Sequence, residues 1–132
     1  MIISFEYIFI ELEKLLIQKL PDYIEKVNIK HNDGIILKKL ENKSVHEECI
    51  KEPCFKFESL KGKQSQKDRI ISQLIFELDF ELKLKEQRKE KTIRFWRYLE
   101  AMQMMFDEEE TQYSYNMCDF EKNHFFIEVR EK

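Results

Sequence analysis

Residues 74–84, LIFELDFELKL, decide the fold because every even-numbered position is apolar and every odd-numbered position after Ile75 is charged. A period of two is the pattern of a β-strand that buries one face and exposes the other to solvent. Glu77, Asp79, Glu81 and Lys83 would form the solvated face. The segment therefore predicts a long strand that lies across an apolar core.

A shorter alternating run precedes this strand. Pro53 opens the sequence CFKFESL, in which Phe55 and Phe57 alternate with charged residues, and this predicts a second half-buried strand. Lys61–Lys67, KGKQSQK, is polar and without apolar periodicity, so we expect a mobile loop between the two strands. Residues 41–52 are equally unpatterned and predict another loop.

The N-terminal segment has helical spacing instead. Apolar residues recur every three or four positions over 4–20, which predicts a helix with Ser4 as its N-cap and Pro21 as its stop. Its apolar stripe is wide enough to pack on a second element or on a neighbouring subunit. Beyond it, an Asn-Asp-Gly turn between Tyr23–Lys30 and Ile35–Leu40 predicts a β-hairpin.

The C-terminal part returns to helical and then to alternating spacing. Residues 88–106 predict a second helix, with the following apolar positions: Ile93, Trp96, Leu99, Met102, Met105 and Phe106. Tyr113–Cys118 and His124–Arg130 predict a closing hairpin. The chain is thus expected to form a single α+β domain over residues 1–132, a mainly antiparallel sheet with two helices packed on one face.

Composition excludes several function classes. The 132 residues include only two glycines, Gly34 and Gly62, so neither a P-loop nor a dinucleotide-binding turn can be written. The net charge of −3 gives no sign of a specific nucleic-acid partner. Charges interrupt the oily first twenty residues, so we expect neither a secretory signal nor a membrane span, and we expect a cytoplasmic protein.

The cysteines and histidines carry no metal motif. Three cysteines, Cys49, Cys54 and Cys118, are an odd number in a chain expected to be cytoplasmic, which favours reduced thiols over a disulfide framework. His46 and His124 would have to complete a zinc site with them, but the two tight ligand pairs typical of structural zinc are missing. We expect no metal, no cofactor and no catalytic residue.

One enzymatic alternative stays open. Glu81-x-Lys83 on a strand resembles the acid-x-lysine pair of metal-dependent nucleases of the PD-(D/E)xK class, in which carboxylates hold a metal and the lysine steadies the attacking water or the phosphate. The Pro21-Asp22 pair would supply the upstream acid, but it lies about sixty residues away. A solvated strand face explains the same residues more simply.

The second predicted helix has an unusual charge layout. Its start is basic and its end is acidic, whereas the helix dipole prefers the opposite arrangement by roughly 0.3–1 kcal/mol per exposed charge. Either these residues are only solvated, or the opposed ends let copies meet head to tail, as in a ring. On the second interpretation the candidate inter-subunit contacts are Lys89, Lys91, Arg94, Glu108, Glu109 and Glu110.

The order of elements resembles the tail terminator, or tail-completion, proteins of long-tailed phages. The resemblance rests on the N-terminal helix, the Pro-led strand 53–57, the polar loop, the long strand 73–84, the charged helix 88–106 and the closing strands. It implies a ring, commonly a hexamer, that caps the tail tube, stops its growth and meets the head connector without any reaction or cofactor. Lys61, Lys63 and Lys67 in the polar loop are then candidate tube contacts. A host protein of another role is the remaining alternative.

Overall fold

The computed structural model describes residues 5–67, 70–85 and 89–132, and it describes side chains there except those of 63–74, Lys89 and Asp119. Ser4 and Arg88, two residues in the sequence predictions, lie outside the described residues. The elements are, in chain order, α1 (Phe5–Glu13), a π-helical segment (Lys14–Lys19), α2 (Leu20–His31), β1 (Cys54–Lys67), β2 (Ile70–Lys83), α3 (Lys89–Glu108), β3 (Tyr113–Glu121) and β4 (His124–Glu131).

The four strands form one sheet in the order β1-β2-β4-β3, and every neighbouring pair is antiparallel. The β2–β4 ladder runs from Ile75 opposite Arg130 to Glu81 opposite His124. The helices pack on one face of this sheet through a shared apolar core. The predicted α+β class, with a mainly antiparallel sheet, is therefore confirmed.

The long alternating strand provides the centre of the core, as predicted. Its even-numbered residues from Phe76 to Leu84 are all buried, whereas the side chain of Leu74 lies outside the described residues. Phe80 stacks on Phe125 of β4 with ring centroids 5.2 Å apart and meets Phe55 of β1 edge-on at 5.7 Å. The alternation in β4, where Phe125, Ile127 and Val129 are fully buried, is confirmed as well.

The N-terminal helix does not stop at Pro21, and this prediction was wrong. Pro21 occupies the first turn of α2, where its missing N–H costs no hydrogen bond. The π-helical segment just before it has already interrupted the regular ladder of α-helical hydrogen bonds. The helix instead ends at Asn32, which adopts a left-handed conformation with φ of 40°.

The hairpin predicted around the Asn-Asp-Gly turn is also absent from the described chain. Tyr23–Lys30 belongs to α2, and Ile35–Leu40 is extended without a strand partner. The side-chain amide of Asn28 donates to the carbonyl of Leu37 at 3.0 Å, and its oxygen accepts from the Leu37 N–H at 2.8 Å. One asparagine thus supplies the two hydrogen bonds that a neighbouring strand would have made.

The predicted mobile loop Lys61–Lys67 is the second half of β1. Lys61 lies opposite Glu77, and the ladder continues to Lys67 opposite Ile70. The prediction failed because polar side chains do not prevent pairing, since the ladder bonds are made by the backbone and a second strand satisfies them whatever the side chains.

Helix α3 is confirmed in position, but its buried face is turned from the predicted one. Phe95 and Tyr98 are buried beside Leu99 and Met102, whereas Trp96 is 63% exposed. Trp96 was wrongly assigned to the core because an apolar residue can match helical spacing while it lies at the margin of the buried stripe. A large aromatic side chain is left on the outer surface of α3.

Candidate functional site

The basic start of α3 is used within the chain. The Arg94 guanidinium donates to the carbonyl of Ile36 at 2.5 Å, and only 14% of its side chain is exposed. The Arg97 guanidinium donates to both carboxylate oxygens of Asp33, at 2.9 and 2.5 Å, and this contact holds the pKa of Asp33 well below its usual range. These arginines therefore fix the segment that follows α2 against α3.

The acidic end of α3 faces α2 in the same way. The Tyr23 hydroxyl donates to Glu109 at 2.8 Å, and burial together with this carboxylate raises the pKa of Tyr23. Lys26 lies 3.5 Å from Glu108. The antiparallel packing of α2 on α3 thus brings cations of one helix to the acids of the other, which compensates the unfavourable dipole layout.

The predicted inter-subunit contacts on α3 consequently differ in their surroundings. Arg94, Glu108 and Glu109 have partners within the chain. Lys91 is half-buried, Glu110 is exposed, and the side chain of Lys89 lies outside the described residues. Among the side chains that the structure describes, no member of the basic set contacts the acidic set, so head-to-tail pairing through these residues stays a prediction.

The three predicted tube contacts share one structural feature. Lys61, Lys63 and Lys67 all lie on β1, and Lys61 is exposed, while the side chains of the other two lie outside the described residues. β1 pairs with β2 as far as Ile70, whereas β4 pairs with β2 only over residues 75–81. The outer part of the β1–β2 hairpin therefore projects from the four-stranded sheet as a two-stranded ribbon.

The loop before β1 is held down at three points. The Glu41 N–H donates to the Pro53 carbonyl at 2.7 Å, and the buried amide of Asn42 bonds the Phe55 N–H and carbonyl, each at 2.8 Å. A disulfide joins Cys49 to Cys54. The expectation of reduced thiols was wrong for this pair, because the loop folds back and brings two residues that are five apart in sequence together.

The remaining candidate ligands do not converge. His46 packs on the ring of Phe9, with centroids 4.6 Å apart, and His124 lies 3.3 Å from Asp79 on the outer face of the sheet. Cys118 lies half-buried on β3. Within residues 5–67, 70–85 and 89–132, no three His, Cys, Asp or Glu side chains form a group that could hold a metal ion.

The residues that the nuclease alternative requires lie on opposite sides of the sheet. Glu81 and Lys83 are on the face of β2 that points away from the helices, and Glu81 is opposite Lys56 on one side and His124 on the other. Asp22 lies in the first turn of α2, which packs on the opposite face. The nuclease pattern places its upstream acid on a strand, and Asp22 does not meet this requirement.

Sequence reasoning missed the two edges of the sheet. On β3, the Tyr113 N–H donates to Glu11 at 3.2 Å and its carbonyl accepts from the Thr111 hydroxyl at 2.6 Å, so both groups point outward from the sheet. Residues two apart on a strand face the same neighbour. Tyr115 and Met117 therefore also direct their N–H and carbonyl groups to the open edge. The sequence indicates these outward-pointing backbone groups only indirectly, because they occur at every second residue of the strand.

The outer surface of the first helix remains partly apolar. Ile8 and Leu12 are buried in the core, whereas Tyr7 and Ile10 are each 58% exposed. The wide stripe seen in the sequence is therefore divided between the core and the solvent. Exposed apolar side chains on a helix are typical of surfaces that meet a partner, although single ones are common on any protein.

We compared the chain with protein-family models, with curated proteins and with solved structures. None of these comparisons finds a match. Among the helices of the described residues, none has the length and apolar character that crossing a bilayer requires. The proposed function therefore depends on two observations, the geometry of this chain and the resemblance in element order.

Proposed function

We propose that the protein is a structural assembly protein of a phage or prophage, a ring subunit that caps the tail tube and joins it to the head connector. The projecting β1–β2 ribbon carries this proposal, because β1 pairs with β2 five residues beyond the last β2 residue that β4 supports. A two-stranded ribbon is at best marginally stable in water. Docking on another protein would stabilise the ribbon by adding packing contacts.

Two further features support a role in assembly. The lysines expected to contact the tube all lie on β1, and Lys61 is exposed opposite Glu77, near the end of the four-stranded part of the sheet. Tyr7, Ile10 and Trp96 provide exposed apolar surface on the helices. The proposed role needs neither a catalytic residue nor a cofactor. It places the protein in the cytoplasm during assembly and in the virion afterwards.

A shortened ribbon tests the proposal. Residues 64–74 are replaced by an Asn-Gly turn that joins Lys63 to Ile75, since these two residues are paired in the ladder. We expect the shortened protein to keep its circular dichroism spectrum and its melting transition. We expect it to lose binding to the ends of tail tubes, which would be assembled from the tail-tube protein of the same phage and viewed by electron microscopy.

A variant with Lys38→Ser and Lys39→Ser is the matched control, because it removes exposed charge away from the ribbon. This control should cap tubes as the unaltered protein does. If the unaltered protein forms no rings at any concentration and does not bind tube ends, the proposed function is wrong. If the shortened protein still caps tubes, the ribbon is not the contact.

A further inference from the structure

We infer that copies of this chain join edge to edge, with β3 of one copy pairing with β1 of the next in a continuous antiparallel sheet. This inference rests on the proposed ring function and names the surfaces that close the ring. It is drawn from the two edges of the sheet, whose backbone groups and charges complement each other.

The β3 edge offers a short regular row of backbone groups. Glu11 and Thr111 bond the N–H and carbonyl of Tyr113, so the row begins at Tyr115 and continues at Met117. Among the described residues, the outward backbone groups of these two have no hydrogen-bond partner. The strand is regular from Tyr113 to Cys118, and this stretch contains no charge and no proline. Natural edge strands that avoid pairing often carry a charged residue or a proline, and this stretch of β3 carries neither.

The β1 edge is organised in the same way. Asn42 bonds both backbone groups of Phe55, which therefore point outward. The bulge between Phe57 and Ser59 shifts the alternation by one residue, so the next outward positions are Phe57, Leu60 and Gly62. Within the described chain, their outward groups likewise have no hydrogen-bond partner. At each edge, side chains bond the backbone groups of the first position and leave those of the later positions open.

Strand direction permits the two edges to meet. Because the sheet has four strands that alternate in direction, β1 and β3 run antiparallel to each other. A second copy placed with its β1 beside β3 in the same orientation therefore continues the antiparallel alternation. Its helices remain on the same face of the sheet, so the contact can be repeated by every copy.

Charge selects this pairing over the alternatives. β1 carries four lysines and one glutamate, a net charge of +3, whereas β3 carries one aspartate and one glutamate, a net charge of −2. Pairing β1 with β1 or β3 with β3 would set like charges against each other, and only β1 against β3 sets opposite charges together. That contact is heterologous, and a heterologous contact is the kind that closes into a ring.

One register fits both the backbone and the charges. If Met117 pairs with Leu60 of the next copy, Tyr115 lies opposite Gly62. Counting onward through the β1 bulge, Glu121 then comes within one residue of Lys56. Glu121 and Lys56 are both exposed in the isolated chain, so each is accessible to the other copy.

Reciprocal charge reversal tests the pairing. The β1-reversed variant carries Lys56→Glu and Lys61→Glu, and the β3-reversed variant carries Asp119→Lys and Glu121→Lys. We expect each variant alone to form at least tenfold fewer rings than the unaltered protein, counted by sedimentation velocity and native mass spectrometry. Mixing the two variants should restore rings in which they alternate, because every contact then joins opposite charges.

A variant with Lys38→Glu and Lys39→Glu is the control for net charge, since both lysines are exposed and neither lies on an edge strand. It should assemble normally. Hydrogen exchange supplies the readout specific to strand pairing. The amides of Tyr115 and Met117 should exchange rapidly in the monomer and become protected in the ring, whereas a contact through side chains alone would leave them unprotected.

The outcomes separate this inference from the proposed function. If rings form but tolerate both reversals, or if the two amides stay unprotected in them, the edge pairing is wrong and the ring function stands. If native mass spectrometry shows only a closed two-fold dimer, the edge pairing and the ring function are both wrong. If no assembly forms even with tail tubes present, the proposed function fails and the inference fails with it.

Discussion

The amide of Asn42 should be among the most sensitive polar groups in the protein. It is only 9% exposed, and it makes two hydrogen bonds of 2.8 Å to the backbone of Phe55, which is itself 1% exposed. Asn42→Ala leaves a buried N–H and a buried carbonyl without partners, at about 1–3 kcal/mol each. Partial access of water at the sheet edge reduces the sum, so we expect a loss of about 2–4 kcal/mol. That is a large share of the roughly 5–15 kcal/mol that holds a domain folded.

Asn42→Asp keeps one of these two hydrogen bonds and removes the other. The carboxylate can accept from the Phe55 N–H but faces the Phe55 carbonyl oxygen, so the folded state disfavours the charged form and raises the pKa of the new aspartate above its unfolded value of about 3.9. The penalty is therefore full at neutral pH. It shrinks as the pH falls through the folded-state pKa, because the protonated acid again donates to the carbonyl.

Asn28 provides an internal comparison, since it makes the same pair of hydrogen bonds to Leu37 in a half-buried position. Asn28→Ala should cost less, about 1–2 kcal/mol, because water can replace part of what is lost. Urea unfolding followed by circular dichroism measures all three variants. The reasoning is refuted if Asn42→Ala costs less than Asn28→Ala, or if the Asn42→Asp penalty does not change with pH.

Four further variants test the two faces of β2, a loop anchor and an ion pair. Phe80→Ala should cost about 3–5 kcal/mol in urea unfolding, because the fully buried ring leaves a cavity. Glu81→Ala on the opposite face should stay within about 0.5 kcal/mol, and equal effects would mean that a partner covers that face. Tyr98→Phe removes the 2.6 Å hydrogen bond to the Lys38 carbonyl and should cost about 0.5–1.5 kcal/mol, without a change in the denaturant slope. Asp33→Asn should lower the melting temperature at neutral pH. The difference should begin to shrink only as the pH falls below the unfolded-state pKa of about 3.9, and it should disappear only below the depressed folded-state pKa, because the carboxylate stabilises where it is ionised in the folded protein. A difference that stays constant with pH would exclude the Arg97 pair as its cause.

The parts of the fold that the sequence predicted are those in which burial alone sets the pattern. The alternation of residues 76–84 and that of β4 follow directly from one buried face, and both were placed correctly. Pro21 misled the prediction because the interruption that accommodates it is a π-helical segment upstream, which leaves no local signature. The Lys61–Lys67 strand was missed because its stability comes from pairing with β2 and not from its own residues.

The candidate surfaces were predicted less well than the fold. The charges at the two ends of α3 are visible in the sequence, but their partners, such as Tyr23 for Glu109, lie far away along the chain. The edges of the sheet were missed because strand order is a long-range property. The two asparagine contacts, with Leu37 and with Phe55, span 9 and 13 residues of irregular chain and have no periodic signal.

The arrangement of the strands also has a consequence for how the chain folds. β1 with β2 and β3 with β4 are neighbours along the chain, and only the β2–β4 seam joins residues 43 to 55 positions apart. Closing that seam carries the greatest loop entropy, although α3 bridges the gap and shortens the flexible part. Substitutions along the seam, such as at Leu78 or Ile127, should therefore slow folding. Substitutions in the projecting ribbon should act mainly on the unfolding rate, because the ribbon does not pair with β4 and takes no part in closing the seam.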